Sequence, residues 1–348
     1  MSKIAVLTSG GDSPGMNYAV TSIARSAAYY GLTLIGIKRG YNGLLGLSDG
    51  PEDDIYEMNL DTVLDLADLP GTYLRTARCD KFLEPEYREE AARCLRELDL
   101  LGLIVIGGDG SFHGAQELCR LGISCIGIPG TIDNDLPYTE MTLGYDSVVN
   151  CDIGIVRAIR ATSRSHDRPA VVEVMGRHCG DIALSTAEAT GSEIVLVPEV
   201  AWSVNEVAER LNRLIAQGNT RATIVVAEGA YESMKPFDVY GFLKPYGKEV
   251  YEGQKMNADL LASTLKRLTH AEVRSTVIGY TQRGCLPTAR DCTFAFEAGN
   301  MAVTLLKNGI SNEVIGVRNN RTFHTSIDTA LCETRYFKES LYNLINSL

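Results

Sequence analysis

Three segments that follow short apolar runs in this chain each carry glycine and aspartate. The first is Thr8-Ser9-Gly10-Gly11-Asp12-Ser13-Pro14-Gly15. Glycines let a backbone approach a phosphate closely, and a helix that follows offers unpaired N–H groups. No Lys-Ser/Thr follows the last glycine, so this is not a Walker A loop. The second is Gly107-Gly108-Asp109-Gly110-Ser111, with Gly114 further on. Its spacing mimics a dinucleotide fingerprint only in part. A carboxylate among phosphate-facing amides repels the ligand unless a cation lies between them, which makes Asp109 a candidate Mg²⁺ ligand. The third is Pro129-Gly130-Thr131-Ile132-Asp133-Asn134-Asp135. In an extended segment both carboxylates point to one side. One suits a general base and the other a metal ligand.

Each segment also has a plain alternative: a tight strand-to-helix turn, a partial fingerprint, a solvated Asx-rich turn. Arginines weigh on the other side. Arg177 follows Val174-Met175-Gly176 at the end of an apolar run, where it could meet a transferring phosphoryl group. Arg157, Arg160, Arg164 and Arg168 recur at helical spacing and read either as a salt-bridged stripe or as part of an anion site. Arg274 and Arg283 bracket another short run, and Glu228 ends one. Phosphate-cradling turns, a metal carboxylate, a base and cationic groups are together the set that phosphoryl transfer to an anionic acceptor needs.

The elements that must position these residues are legible in the periodicity. Short β-branched runs (Lys3–Leu7, Leu32–Ile37, Leu103–Ile106, Ser124–Ile128, Ala170–Val174, Ile194–Val197, Ala222–Val226, Ser275–Ile278) alternate with helical patterns. Strands this apolar are buried on both faces, as in parallel sheets. The expected fold class is α/β, with two doubly wound Rossmann-like domains and mostly parallel sheets. The expected division is residues 1–137 plus 253–306 for a larger domain and 138–252 plus 307–348 for a smaller one. Residues 233–253 read as a surface excursion. In such folds ligands bind at the carboxyl ends of the strands.

Composition narrows the field. A net charge of −11 over 348 residues argues against a nucleic-acid partner. Nine cysteines without a CxxC pair suggest free thiols in a reducing compartment. With no secretory pattern and no apolar run of membrane-spanning length, the expectation is a cytoplasmic protein with no membrane partner.

The stretches TSGGDSPGMN, GYNGL, GGDGS, PGTIDND, VVEVMGRHCGD, VPE and TVIGYTQRG, in this order from residue 8 to 284, resemble the phosphofructokinase family. The resemblance implies phosphorylation of fructose 6-phosphate at its 1-hydroxyl, with ATP as co-substrate and Mg²⁺ as cofactor. It implies that Gly11, Tyr41, Arg78, Cys79, Gly108, Asp109, Gly110, Ser111 and Gly114 bind ATP, with Asp109 and Asp135 on the metal. Asp133 becomes the general base, with Thr131, Arg177 and Gly11 around the reaction. Ile132, Met175, Gly176, Glu228, Tyr280 and Arg283 join the sugar-phosphate site. Arg168 and Arg274 clamp the 6-phosphate from a neighbouring subunit, and a homotetramer is expected.

In pyrophosphate users of the family an Asp often replaces the last Gly of GGDG, and a Lys replaces the Gly of PGTIDND. Gly110 and Gly130 therefore favour ATP. Tyr280 stands where the family has His, and Cys285 where it has Gly. The family's regulatory site is basic. Arg25, Arg160 and Glu193 match it, whereas Thr21, Gln217, Asn219 and Thr220 do not, so weak or altered effector control is expected. The competing readings are a pyrophosphate-dependent enzyme, a kinase of another ketose phosphate, a lipid or NAD kinase, and a non-catalytic nucleotide-binding subunit.

Overall fold

The computed structural model describes residues 2–47 and 53–348. Eleven strands occur among them: β1 (Lys3–Thr8), β2 (Thr33–Ile37), β3 (Ile55–Glu57), β4 (Leu100–Gly107), β5 (Cys125–Pro129), β6 (Ala170–Val174), β7 (Ile194–Leu196), β8 (Thr223–Ala227), β9 (Arg274–Val277), β10 (Glu313–Arg318) and β11 (Arg321–Ser326). They form a seven-stranded sheet ordered β11-β10-β5-β4-β1-β2-β3 and a four-stranded sheet ordered β7-β8-β6-β9.

In the larger sheet β10, β5, β4, β1 and β2 are mutually parallel, and β11 and β3 close the edges antiparallel. Side chains alternate across the central strands, as the pleat requires. Ile4, Val6, Ile104, Ile106, Ile126 and Ile128 join one core cluster. Ala5, Leu7, Leu103, Val105 and Cys125 join the other. Helices Met16–Tyr29 and Ala289–Lys307 pack together on the first face; Pro85–Glu97 and Asp109–Arg120 cover the second. The smaller sheet is parallel throughout. Both sheets fit the expected α/β class.

The chain divides into one compact unit of Met1–Ser147 with Arg283–Arg335 and another of Val148–Gln282 with Tyr336–Leu348. The expected boundaries shift for a reason of strand pairing. Residues 253–306 do not stay together, because β9 pairs with β6 in the smaller sheet. The segment after residue 306 returns to the first unit, because β10 pairs with β5. The 233–253 excursion is not a bare loop: it contains a helical turn, Val239–Leu243, with Val239 and Leu243 buried.

Candidate functional site

In the first unit, β5, β4 and β1 are neighbours, so their carboxyl ends bring the Thr8–Gly15, Gly107–Ser111 and Pro129–Asp135 segments together, whereas the Gly-rich turn after β6 belongs to the other sheet. Main-chain hydrogen bonds join them: Ser9 N–H donates to Ile106 O at 2.9 Å, and Gly130 N–H to Gly107 O at 2.9 Å. The packing leaves no room for side chains at two of the glycines. A Cβ on Gly107 would lie 2.5 Å from Ser111 Oγ and 2.7 Å from Ser9 O. On Gly130 it would meet Met16 Cε at 2.8 Å and Ile106 Cγ2 at 2.9 Å. Gly110 is different, with nothing within 4 Å of the equivalent position. Packing does not require glycine there, and a helical glycine costs about 1 kcal/mol relative to Ala. Space kept open in front of a glycine-rich turn fits an incoming ligand.

Asp109 is the first residue of helix Asp109–Arg120, so the GGDGS segment is the helix's own first turn. A carboxylate there also interacts favourably with the helix dipole. Asp109 is exposed, and its backbone carbonyl lies 3.1 Å from His113 Nδ1. Asp135 is half-buried. Burial and, to a lesser degree, the charge of Asp109 raise its carboxyl above the usual range. Two carboxylates that repel one another fit a shared cation. No cluster of three or more His, Cys, Asp or Glu suited to a metal occurs among the described residues. Mg²⁺ is commonly bound through one or two carboxylates together with substrate phosphates, and Asp109 and Asp135 are the residues that would hold it.

The Asp133–Asp135 segment is not extended, contrary to expectation. Asn134 adopts φ 53°, and its side-chain oxygen accepts the Thr142 N–H at 3.0 Å. The left-handed residue breaks the alternation that would have aligned the two carboxylates. Thr131 organises the bend instead: its hydroxyl accepts the Asp133 N–H at 3.2 Å and donates to Asp135 at 3.4 Å.

The segment carrying Arg78 and Cys79 runs beside the first turn. Gly10 N–H donates to Ala77 O at 3.3 Å, and the Thr76 hydroxyl to Gly10 O at 2.9 Å. Cys79 is half-buried, and burial pushes its thiol up. Tyr41 is only 3% exposed. Its hydroxyl donates to Ser111 O at 2.7 Å, and its ring stacks on Phe82 and fills the space beside Gly114. It shapes the second turn from behind. Arg283 belongs to this unit and lies on the first turn, donating to Asp12 O at 2.7 Å. A Cβ on Gly11 would come within 3.0 Å of its guanidinium.

In the second unit, Met175, Gly176 and Arg177 follow β6, Glu228 follows β8, and Tyr280 follows β9. These strands are parallel neighbours, so all of these residues stand at the carboxyl edge of the smaller sheet. Gly176 has φ 124°, and a Cβ there would fall 2.4 Å from Cys179 O. Arg177 and Glu228 are exposed, and Tyr280 is 84% exposed. Arg168 and Arg274 are elsewhere. Arg168 precedes β6 and Arg274 opens β9, and Arg274 N–H donates to Pro169 O at 3.0 Å. They stand at the amino edge, where Glu272 lies 3.5 Å from Arg274.

Residues 3–306 match the family described as Phosphofructokinase. The chain belongs to the phosphofructokinase family. It is 41% identical over 348 residues to ATP-dependent 6-phosphofructokinase 1 of Clostridium perfringens, covering 100% of this chain and 99% of that one. It is 42% identical over 342 residues to ATP-dependent 6-phosphofructokinase of Paenibacillus macquariensis, covering 98% and 97%. Among solved structures, Pichia pastoris phosphofructokinase in the T-state superposes with TM-score 0.82 at 30% identity over 95% of this chain. The phosphofructokinase structure from Saccharomyces cerevisiae gives 0.78 at 31%, also over 95%. This chain spans 35% and 45% of those longer chains.

Among the residues weighed for effector control, several are engaged within their own unit. Arg160 forms two hydrogen bonds with Glu193, at 2.9 and 3.3 Å. Asn219 and the Thr223 N–H donate to the same carboxylate, at 3.0 and 2.8 Å. Thr21 is buried and donates to Val63 O at 2.9 Å. Arg25 is exposed.

Sequence reading missed several buried positioning groups. Asp291 is fully buried and accepts the N–H groups of Gly144 at 2.9 Å and Ser147 at 2.8 Å, and the Ser147 hydroxyl. Burial pushes its carboxyl up to about 6 while these bonds pull it down. It thereby holds Gly144, whose Cβ position is taken by Ser13 of the first turn. The helix-capping Thr288 three residues earlier was the available signal. Gln282 lies within the TVIGYTQRG stretch without a role assigned to it, and no signal marked Asp152.

Proposed function

We propose that the protein transfers the γ-phosphoryl of ATP to the 1-hydroxyl of fructose 6-phosphate, forming fructose 1,6-bisphosphate. The observation that carries this reading is the convergence of two glycine-rich turns and the Gly130–Asp135 segment at adjacent strand ends, with Asp133 on that segment. The amides of the Gly10–Asp12 and Gly108–Ser111 turns bind the nucleotide phosphates, and the space in front of Gly110 admits them. Asp109 and Asp135 hold Mg²⁺, which neutralises phosphate charge when bound. Asp133, its backbone fixed by Thr131, takes the proton from the sugar hydroxyl. Arg177 meets charge that develops on the transferring group. Met175, Gly176, Glu228 and Tyr280 bind the sugar phosphate. Arg283, held on the first turn by Asp12 O, is a further group for the sugar phosphate.

ATP as donor, in place of pyrophosphate, is supported by both glycines. A Lys at position 130 would have to displace Met16 and Ile106, and an Asp at position 110 would occupy the open space with charge. ATP dependence is also what the names of the bacterial relatives record.

The places of the arginines support a shared site. A five-residue strand spans about 17 Å. Arg168 and Arg274 stand at one edge of the smaller sheet and Arg177 at the other. If all of them act on one sugar phosphate, Arg168 and Arg274 come from a second copy of the chain. A homo-oligomer, a tetramer by family resemblance, follows. The clamp of Arg160 and Asn219 on Glu193 supports weak control by anionic effectors, since both carboxylate oxygens are engaged within the chain. A strongly sigmoidal rate curve relieved by ADP would contradict this.

A panel of acceptors offered with Mg²⁺ and ATP tests the activity: fructose 6-phosphate, other ketose phosphates, NAD and diacylglycerol. Turnover of fructose 6-phosphate is expected. Preference for another ketose phosphate would implicate Tyr280 and overturn the acceptor. Binding of ATP with no turnover of any acceptor would leave only the nucleotide-binding role.

A further inference from the structure

We propose that Asp152 and Gln282 form a buried pair that positions the Met175–Arg177 turn for binding of the sugar phosphate. The proposal rests on reading that turn as part of the substrate site. Its physical basis is a missing strand partner. β6 pairs with β8 through Val174 and Ala227, and with β9 only as far as Glu173 and Val277. Beyond these pairs the Met175 N–H has no ladder neighbour. Gln282 supplies one: its side-chain oxygen accepts the Met175 N–H at 2.9 Å.

A backbone N–H can only donate, so this contact fixes which end of the Gln282 amide faces Met175. The amide nitrogen must then find an acceptor elsewhere, and it donates to Asp152 Oδ2 at 2.5 Å. Both side chains are 0% exposed, and no water can take over either bond without opening the core. The other carboxyl oxygen of Asp152 has no hydrogen-bond partner. An unpaired buried carboxylate is costly, so the group is held as the neutral acid. Burial accordingly pushes Asp152 up to about 8, against the pull of Gln282. What the site requires from position 152 is therefore an acceptor for the Gln282 nitrogen and no charge. A leucine there would remove the cost of the carboxyl but leave that nitrogen unpaired.

The turn held in this way has little slack. Gly229 N–H donates to Gly176 O at 3.1 Å, and a Cβ on Gly229 would fall 1.8 Å from Arg177 O. The exposed Arg177 side chain takes its direction from this backbone. A displacement of about 1 Å at such a group can cost on the order of 10²-fold in rate. Asp152 and Gln282 touch no substrate in this scheme; they act through Met175.

The experiment compares Asp152→Leu, Gln282→Met and Asp152→Asn with the parent full-length chain. Two quantities are read: the separate KM values for fructose 6-phosphate and ATP, and hydrogen–deuterium exchange of the peptide covering residues 175–179. Losing one buried hydrogen bond should raise the sugar-phosphate KM about tenfold in the Leu and Met variants, with the ATP KM within about twofold. Exchange in the 175–179 peptide should accelerate in the same two variants. Asp152→Asn restores a neutral acceptor and should return both readouts to within about twofold of the parent. The proposal is overturned if both KM values rise together, if Asn is as harmful as Leu, or if Leu and Met leave the peptide's exchange unchanged. Should the parent fail to phosphorylate fructose 6-phosphate, the substrate reading falls, and the exchange data still decide whether the pair holds the turn.

Discussion

The two strand-end regions are held in different ways. In the seven-stranded sheet the turns are pinned by main-chain bonds and by glycines with no room for a Cβ, so the amides that would meet phosphates are set by the backbone itself. In the four-stranded sheet the groups of interest are long exposed side chains, and the turn beneath Arg177 depends on a side-chain relay through Gln282 and Asp152. The first arrangement suits a ligand bound through invariant phosphates. The second suits an acceptor whose identity is set by side chains.

Substitutions can break this contrast. The largest effect is expected at Asp133, which does chemistry in the reading above. Asp133→Asn should lower kcat by about 10²–10⁴-fold with ATP binding retained, by steady-state rates and calorimetry. Arg177→Ala should lower kcat by about 10²–10³-fold, and more than it weakens ground-state binding. Near-normal kcat in either variant removes that residue's role.

The shared-site idea makes a sharper test. Arg274→Ala should raise the sugar-phosphate KM while leaving kcat nearly intact. Refolding it together with Arg177→Ala should restore activity above either variant alone when fructose 6-phosphate is well below the raised KM, because some sites then receive both native arginines. No recovery on mixing would place all the arginines of a site on one chain.

The smallest effects separate the glycines. Gly130→Ala should destabilise the fold by about 1–3 kcal/mol through overpacking, read as a lower Tm. Gly110→Ala should leave Tm equal or higher, by up to about 1 kcal/mol, yet weaken ATP binding. Equal ATP affinity in Gly110→Ala would mean that the open space there serves no ligand.

The sequence made the alternation of strands and helices legible because buried parallel strands are apolar throughout. It marked the three turns through Gly10, Gly108 and Gly130. The bend at Asn134 escaped, because a single left-handed residue leaves no periodic trace. The domain boundaries escaped too: β10 was not among the runs read as strands, and only pairing assigns β9 to the smaller sheet and β10 to the larger. The hydrogen bond from the Tyr41 hydroxyl to Ser111 O is a long-range contact that spacing cannot reveal. The amino-edge location of Arg168 and Arg274 likewise appears only once strand direction is known.

The most direct test of the central claim is the initial rate of fructose 1,6-bisphosphate formation from fructose 6-phosphate and Mg²⁺, with ATP and with pyrophosphate as donor. The account predicts turnover with ATP and none with pyrophosphate. Turnover with pyrophosphate would contradict the role given to Gly110 and Gly130, and silence with both donors would contradict the assignment of the reaction itself.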